Sequence, residues 1–356
     1  IDAPRRRIRP CGRGHRMSGV PSTLPGSRVV DAMTAPALSW GVLGTGWIAD
    51  KFISAARANT SQRFAAVGSR SLDNAHEFAR QRGIPTAHGS YEALVTDPAI
   101  DIIYVATPHS FHREHGMLAI EAGKHVLIEK PIALCSGELE QLLAAADRYG
   151  VMCQEAFWSF FLPKWDVIRQ LLDDGVLGDV VTLIADHGEW LPPDHRIHRT
   201  DLAGGSLHDL GVYDFALTAW TIGRPTQVEA TGTLTDTGVI GDVAVAARTD
   251  SGAVASLSTT MMTTTPCRAV IAGSEATLET DSGFFFPGGF TVTEHRTGRV
   301  LRWDEPNPRH GALYFEAAEV ARRIQVGELE TPVWTRQNSR DTTFILDDVK
   351  TRLGIA

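Results

Sequence analysis

Cysteine is scarce in this chain, with four in 356 residues. Cys11, Cys135, Cys153 and Cys267 stand far apart and form no CxxC pair, so no disulfide framework is expected. That usage fits a reducing cytoplasm. Nowhere do about 18 apolar residues run together, so no membrane-spanning helix is expected. Basic residues are in deficit: 34 Lys and Arg stand against 42 Asp and Glu, a formal net charge of -8. Such a chain gains no general attraction to nucleic acid or to an anionic membrane, and neither is expected as a partner. What remains is ordinary globular material, 43% hydrophobic and 21% charged. Its length supports a sizeable core and about two domains.

Residues 1–38 differ from the rest. Arg5, Arg6, Arg7, Arg9, Arg13, Arg16 and Arg28 face only Asp2 and Asp31 there, among frequent Pro, Gly and Ser. No apolar period appears, and no apolar central run of the kind a secretory signal needs. Such a segment buries too little apolar surface to offset its ordering entropy. It reads as an unstructured basic extension ahead of a start at Met33.

From residue 39 short apolar runs alternate with helical spacing. Residues 39–45, 64–68, 101–106, 125–128 and 151–153 read as strands, and the stretches between them as helices, of which 137–148 is the strongest. The unbroken run Ile102-Ile103-Tyr104-Val105 fits a central strand buried on both faces. The alternation predicts an α/β doubly wound parallel sheet over 39–157. The second part, 158–356, reads differently. Helices are expected at 164–173, 208–222, 311–326 and 338–353. Between them β-rich runs cover 180–187, 226–234, 241–249, 253–262, 267–272, 275–280, 289–295 and 299–303. Strands at such intervals without intervening helices predict an α+β domain on an open, mostly antiparallel sheet. The last helix is expected to pack back on the first domain.

Gly44-Thr45-Gly46-Trp47-Ile48-Ala49 fits G-x-G-x-x-[GA] between a predicted strand and a predicted helix, the context that gives the motif meaning. Gly44 permits the tight turn, Gly46 lets backbone approach a pyrophosphate, and Ala49 lets helix and strand pack closely. The helix N-terminus offers free N–H groups to the phosphates. An acid commonly binds the adenosine ribose of NAD about twenty residues on. Here Ser69-Arg70-Ser71 stands at the strand tip. Arg70 can bind a 2′-phosphate and stack on adenine, which favours NADP, with NAD second and Asp73 as the alternative ribose ligand.

Three distant residues carry the chemistry. Lys130 follows a parallel strand at its carboxyl end, where such sheets bind ligands. Asp209 and Tyr213 lie one helical turn apart and can address one pocket. Oxidising an alcohol requires removal of its hydroxyl proton as the C–H bond breaks. Tyrosine of ordinary pKa near 10 is a weak base, and a nearby ammonium favours its phenolate. Tyr213 is therefore expected as the acid/base. Lys130 is expected to lower its pKa and hydrogen-bond the substrate oxygen, with Asp209 orienting substrate or Lys130.

Three motifs, Thr107-Pro108-His109-Ser110-Phe111-His112, Glu129-Lys130-Pro131 and Gly204-Gly205-Ser206-Leu207-His208-Asp209-Leu210-Gly211-Val212-Tyr213, together resemble the Gfo/Idh/MocA family of NAD(P)-dependent oxidoreductases over about residues 39–353. Glu155-Ala156-Phe157-Trp158 resembles its branch of dimeric dihydrodiol dehydrogenases and NADP-linked xylose dehydrogenases. The resemblance implies the same two domains and the same catalytic positions, with Lys130 also proposed as acid/base. It implies that Thr107 and Pro108 pass the cofactor ribose and nicotinamide. It implies that His112 orients a backbone or ribose group and that Glu129 and Pro131 shape the cofactor loop, often with a cis bond before the proline. It further implies a homodimer or homotetramer through the second sheet. His109 stands where the family commonly has asparagine, and Phe160 where this branch often has arginine.

The polar segment 186–199 holds His187, His195 and His198. Their spacing matches no common zinc signature, so no metal is expected. His195 and Trp158 are candidates to touch a hydroxylated small-molecule substrate. The expected activity is hydride transfer between nicotinamide C4 and a secondary hydroxyl of a sugar, cyclic polyol or vicinal diol. Three rivals stay open at this point: a non-catalytic dinucleotide-binding regulator, an NAD-dependent glycosidase and an interaction module.

Overall fold

Doubly buried apolar runs build the first layer. The computed structural model describes residues 19–355. Within them Ser39–Leu43 (β1), Arg63–Gly68 (β2), Thr86–His88 (β3), Ile102–Val105 (β4), His125–Glu129 (β5) and Cys153–Ala156 (β6) form one parallel sheet. Its order is β3-β2-β1-β4-β5-β6. Helices Trp47–Asn59 (α1), Leu72–Arg82 (α2), Tyr91–Val95 (α3), His112–Glu121 (α4) and Ser136–Tyr149 (α5) connect the strands. β4 is buried throughout, as its sequence requires. The elements β3 and α3, of three and five residues, are too short for a period to reveal them. Strand order reverses between β1 and β4, which opens a crevice at their carboxyl ends. Gly44, Thr107 and Lys130 directly follow or closely trail β1, β4 and β5 on that side.

Pro163–Asp173 (α6) leads into the second unit, followed by Val180–Gly188 (β7) and Val212–Ile222 (α7). Then come Gln227–Leu234 (β8), Ile240–Arg248 (β9), Val254–Thr260 (β10), Ala269–Gly273 (β11), Ala276–Thr280 (β12), Phe290–Glu294 (β13) and Val300–Trp303 (β14). The sheet order is β14-β13-β12-β11-β7-β10-β9-β8. Only β7 and β10 pair in parallel; every other neighbouring pair is antiparallel. Burial alternates along β9 and β10, so one face meets the helices and the other meets solvent. Tyr314–Gln325 (α8) and Arg336–Leu353 (α9) complete the fold. α9 packs on α7 and β8 and reaches back to α5. There Asp347 accepts from Ser136 N at 2.8 Å and Arg340 pairs with Glu140 at 2.7 Å.

Two expectations need correction. The basic extension is ordered from residue 19 onward; residues 1–18 lie outside the described residues. Val20, Ala32 and Ala35 are buried, the last two against Ala318 and Tyr314. Arg28 pairs with Asp166 at 2.8 Å, and Gln170 and Arg322 donate to the carbonyls of Gly26 and Asp31 at 3.0 and 2.6 Å. Small side chains and backbone carbonyls hold this segment, and neither produces an apolar period. The helix expected over 208–222 begins instead as a π-turn, Leu207–Gly211, and becomes α-helical at Val212. Asp209 sits inside that wider turn, a feature often found at functional sites.

Candidate active site

The glycine loop has the form a pyrophosphate needs. Gly44 has φ of 110°, and a Cβ there would come within 2.9 Å of the Ala106 carbonyl oxygen. Gly46 caps α1 without any side-chain hydrogen bond, so the N–H groups of the first turn stay open to an anion. A Cβ on Gly46 would meet only the Ala106 carbonyl oxygen, at 3.8 Å, an ordinary contact. Ala49 is fully buried against the sheet, while Trp47 is 58% exposed, its ring edge-on to His310 at 4.7 Å. These residues fit a dinucleotide.

At the tip of β2, Arg70 lines a cavity of about 650 Å³ with Ser90, Tyr91, Thr107, Pro108 and Phe111. Its guanidinium lies 5.9 Å over the Phe111 ring. Asp73 stands apart in the first turn of α2. Ser69 is buried, and its N–H donates to the His88 carbonyl at 3.1 Å. Ile48 is half-buried on α1 and Thr45 half-buried in the loop before it.

His112 ties two cofactor loops together. Its ring nitrogens lie 2.7 Å from the Pro131 carbonyl and 2.8 Å from the Thr107 carbonyl. Burial pushes this imidazole down to about 4 despite those two acceptors. The Lys130–Pro131 peptide is cis. Glu155 fixes the same loop: it accepts from Ile132 N at 3.0 Å and from Trp334 Nε1 at 2.9 Å. Glu129 accepts from the Tyr104 hydroxyl at 2.5 Å and from Lys130 N at 3.2 Å.

Lys130, Asp209 and Tyr213 converge. Lys130 Nζ donates to the Asp209 carbonyl at 2.7 Å and to Asp209 Oδ1 at 3.1 Å, and it lies 4.9 Å from the centre of the Tyr213 ring. An ammonium has three donors, so one remains for a substrate oxygen. Arg196 also holds Asp209, with Nη2 at 3.1 Å from Oδ2, and His109 Nε2 lies 3.6 Å from Oδ1. Burial alone would raise the Asp209 carboxyl, but Lys130, Arg196 and His109 outweigh it and hold the group well below the usual carboxylate range. Burial also opposes the charge on Lys130, yet Tyr213, Asp209 and Glu129 raise the ammonium above its ordinary value. Tyr213 Oη accepts from Trp158 Nε1 at 3.2 Å.

Lys130 pulls the Tyr213 phenol down, as expected, but burial outweighs that pull. Burial pushes it up to about 12, and the opposing pull of Lys130 and of the Trp158 hydrogen bond does not compensate. Sequence spacing shows proximity of charge but not the loss of water around the phenol.

Trp158 is thus a buried donor to the phenol, packed near Phe286 and His310 at 5.8 and 5.7 Å. His195 accepts from Ile197 N at 3.2 Å and caps a turn in the loop that carries Arg196. His187 and His198 have separate partners, Glu189 and the Leu191 carbonyl. Phe160 is core, stacked on Trp334 at 4.5 Å. Arg196 and Glu189 lie within the polar segment 186–199, but sequence reasoning did not single them out. A loop arginine thirteen residues before Asp209 offers no pattern to find it by.

Residues 38–157 match an oxidoreductase family with an NAD-binding Rossmann fold, and residues 165–279 match the GFO/IDH/MocA C-terminal domain. The chain belongs to the Gfo/Idh/MocA oxidoreductase family. It is 32% identical to the trans-1,2-dihydrobenzene-1,2-diol dehydrogenase of Xenopus tropicalis over 330 residues, 90% of this chain and 99% of that protein. The human protein of the same name is 29% identical, over 90% of this chain and 98% of its own. Among solved structures, a 3-ketoreductase from Actinomadura kijaniata in complex with NADP and TDP-benzene superposes with a TM-score of 0.78 at 26% identity, covering 89% of this chain and 98% of that one. Levoglucosan dehydrogenase shares the fold, with a TM-score of 0.81 at 18% identity over 90% and 98%. This Gfo/Idh/MocA member is therefore an NAD(P)-binding oxidoreductase. Among its described residues no helix is long and apolar enough to cross a membrane.

Proposed function

We propose that this oxidoreductase is an NADP-preferring dehydrogenase acting on a secondary hydroxyl, or the corresponding carbonyl, of a sugar, cyclic polyol or vicinal diol. The observation that carries the reading is the meeting of the Lys130 ammonium, the Asp209 carboxylate and the Tyr213 phenol beside the crevice. Gly44, Thr45, Gly46 and the α1 N-terminus would hold the pyrophosphate, Ser69 and Arg70 the adenosine end, and Thr107, Pro108, His112 and Glu129 the nicotinamide end. The bound nicotinamide supplies a hydride acceptor or donor. Tyr213 exchanges the proton of the substrate oxygen, its hydroxyl left free because Trp158 occupies only an acceptor position. Lys130 turns its remaining N–H to that oxygen and stabilises negative charge on it. Asp209 and Arg196 hold Lys130 in place. Substrate names borne by relatives, a dihydrodiol among them, support the hydroxyl–carbonyl class. A fluorescence panel of sugars, inositols and diols tests the reading; formation of NADPH from none of them would sink it.

Arg70 supports the choice of NADP, as it lines this cavity with Ser90, Tyr91 and Glu92, and Ser69-Arg70-Ser71 at the tip of β2 holds no carboxylate. Arg70→Gln is expected to raise the KM for NADP about 10- to 100-fold, the worth of a paired, charge-assisted contact to phosphate. The KM for NAD should change far less. Equal changes for both cofactors would remove the claim.

We also infer self-association through the open face of the second sheet. Ile184 is 49% exposed at its centre, in a neutral patch with Val270, Ser256, Ser258, Ala244 and Ala246 that Glu229 and Glu279 flank. Ile184→Lys is expected to convert an oligomer to monomer in light scattering. A wild-type mass of one chain would end this reading.

A further inference from the structure

His187, on β7, is 1% exposed. Its ring stacks on Phe285 at 4.2 Å and lies 5.2 Å from the Tyr213 ring. Nε2 is 3.0 Å from Glu189 Oε1. That hydrogen bond keeps the Glu189 carboxyl below its ordinary range, and burial does the same to the imidazole, so a neutral ring faces a carboxylate. A carboxylate only accepts, so the ring proton sits on Nε2 and Nδ1 carries a lone pair. Nδ1 is buried and has no hydrogen-bond partner among the described residues. On the Asp209 side of Lys130, Arg196 presents the opposite defect. Its Nη2 is engaged by Asp209, while Nη1 is buried with no acceptor among the described residues.

Unmatched buried polar atoms are costly, and native proteins rarely keep them without a purpose. One orphan here accepts and the other donates, and their residues stand beside the site, His187 next to the Tyr213 ring and Arg196 on Asp209. A substrate carboxylate would satisfy Arg196 alone, and an ammonium His187 alone. A hydroxyl can serve either atom, because it both donates and accepts. We propose that His187, oriented by Glu189, reads a second hydroxyl next to the reacting carbon, so that the site selects vicinal diols and polyols over isolated alcohols. This rests on the dehydrogenase reading for the identity of the reacting carbon. The His187 contact itself is a matter of binding and can be measured apart from turnover.

The test is calorimetric titration of the NADP-loaded protein with two probes, a cyclohexane bearing two adjacent cis hydroxyls and cyclohexanol. Wild type is expected to bind the diol about tenfold more tightly, the worth of one hydrogen bond whose loss strands a buried acceptor. His187→Phe keeps an aromatic ring against Phe285 but has no acceptor, and the ratio should fall to about one. Glu189→Gln changes a side chain 41% exposed, frees the ring tautomer, and should lower the ratio severalfold even if the phenylalanine variant fails to fold. Probes bound equally by wild type, a ratio unmoved in the glutamine variant, or equal weakening of both probes would overturn the proposal. Expected ratios with no NADPH formed from either probe would instead count against the dehydrogenase reading and leave the His187 contact standing.

Discussion

Replacing Lys130 with methionine is expected to lower kcat about 10³-fold, the combined effect of losing a donor on the substrate oxygen and a charge beside the acid/base. Methionine matches the length of lysine and carries no charge, so the crevice keeps its shape. Asp209 loses its 2.7 and 3.1 Å contacts to Nζ but keeps Arg196 at 3.1 Å, so its carboxylate is not left alone in the interior. NADP affinity, followed by fluorescence quenching, should hold within a few-fold, because the glycine loop and Arg70 are elsewhere. The signature is therefore a fall in kcat with the cofactor still bound. Full kcat in the methionine variant would contradict the assignment of Lys130, and loss of NADP binding would show that Lys130 serves cofactor placement instead.

Removing the phenol oxygen has a comparable effect with a different pH signature. Tyr213→Phe should cost about 10²- to 10⁴-fold in kcat, the usual range for a general acid/base. With its phenol pushed up to about 12, Tyr213 is protonated at neutral pH. That form can donate a proton to a carbonyl at once, whereas alcohol oxidation needs the phenolate. Wild-type oxidation should therefore keep rising with pH toward that value, and carbonyl reduction should be level until it is approached. Both limbs should vanish in the phenylalanine variant, and an unchanged profile would exclude Tyr213 as the acid/base. Stability offers a second readout. The folded phenol holds its proton above the unfolded pKa of about 10, so its contribution is full below pH 10 and is lost as pH rises toward about 12. Tyr213→Phe should show a smaller decline in Tm over that window. Below it the variant should be less stable by about 1–3 kcal/mol, because the buried Trp158 N–H then has no acceptor.

Much of this molecule was legible in one dimension. The run Ile102–Val105 announced a doubly buried strand because a parallel sheet covered on both faces admits only apolar side chains there. Gly44 marked the phosphate turn because backbone sterics at that bend allow no Cβ. The placement of Lys130 at the carboxyl end of β5 followed from the same alternation. Each of these is a local rule, satisfied or broken within a few residues.

Other features depended on what the chain brings near from afar. Nothing along the sequence joins Trp158 to Tyr213 or Arg196 to Asp209, and both contacts arise only when the π-turn at Leu207–Gly211 packs on β9 and β10. The segment from residue 19 was read as unstructured because its partners, Asp166, Gln170 and Arg322, lie more than a hundred residues away. The acidity of Tyr213 is the clearest case: local pattern identified the cation that favours phenolate, but the net result is set by how much water the whole fold removes, a quantity summed over distant neighbours. Sequence alone thus determined the two sheets and the dinucleotide loop, and it singled out Lys130 and Tyr213 as the proposed reacting pair. Tertiary structure alone decided their protonation, their orienting partners and the unmatched atoms of His187 and Arg196, because desolvation and hydrogen-bond geometry belong to a packed volume and have no counterpart in a linear pattern.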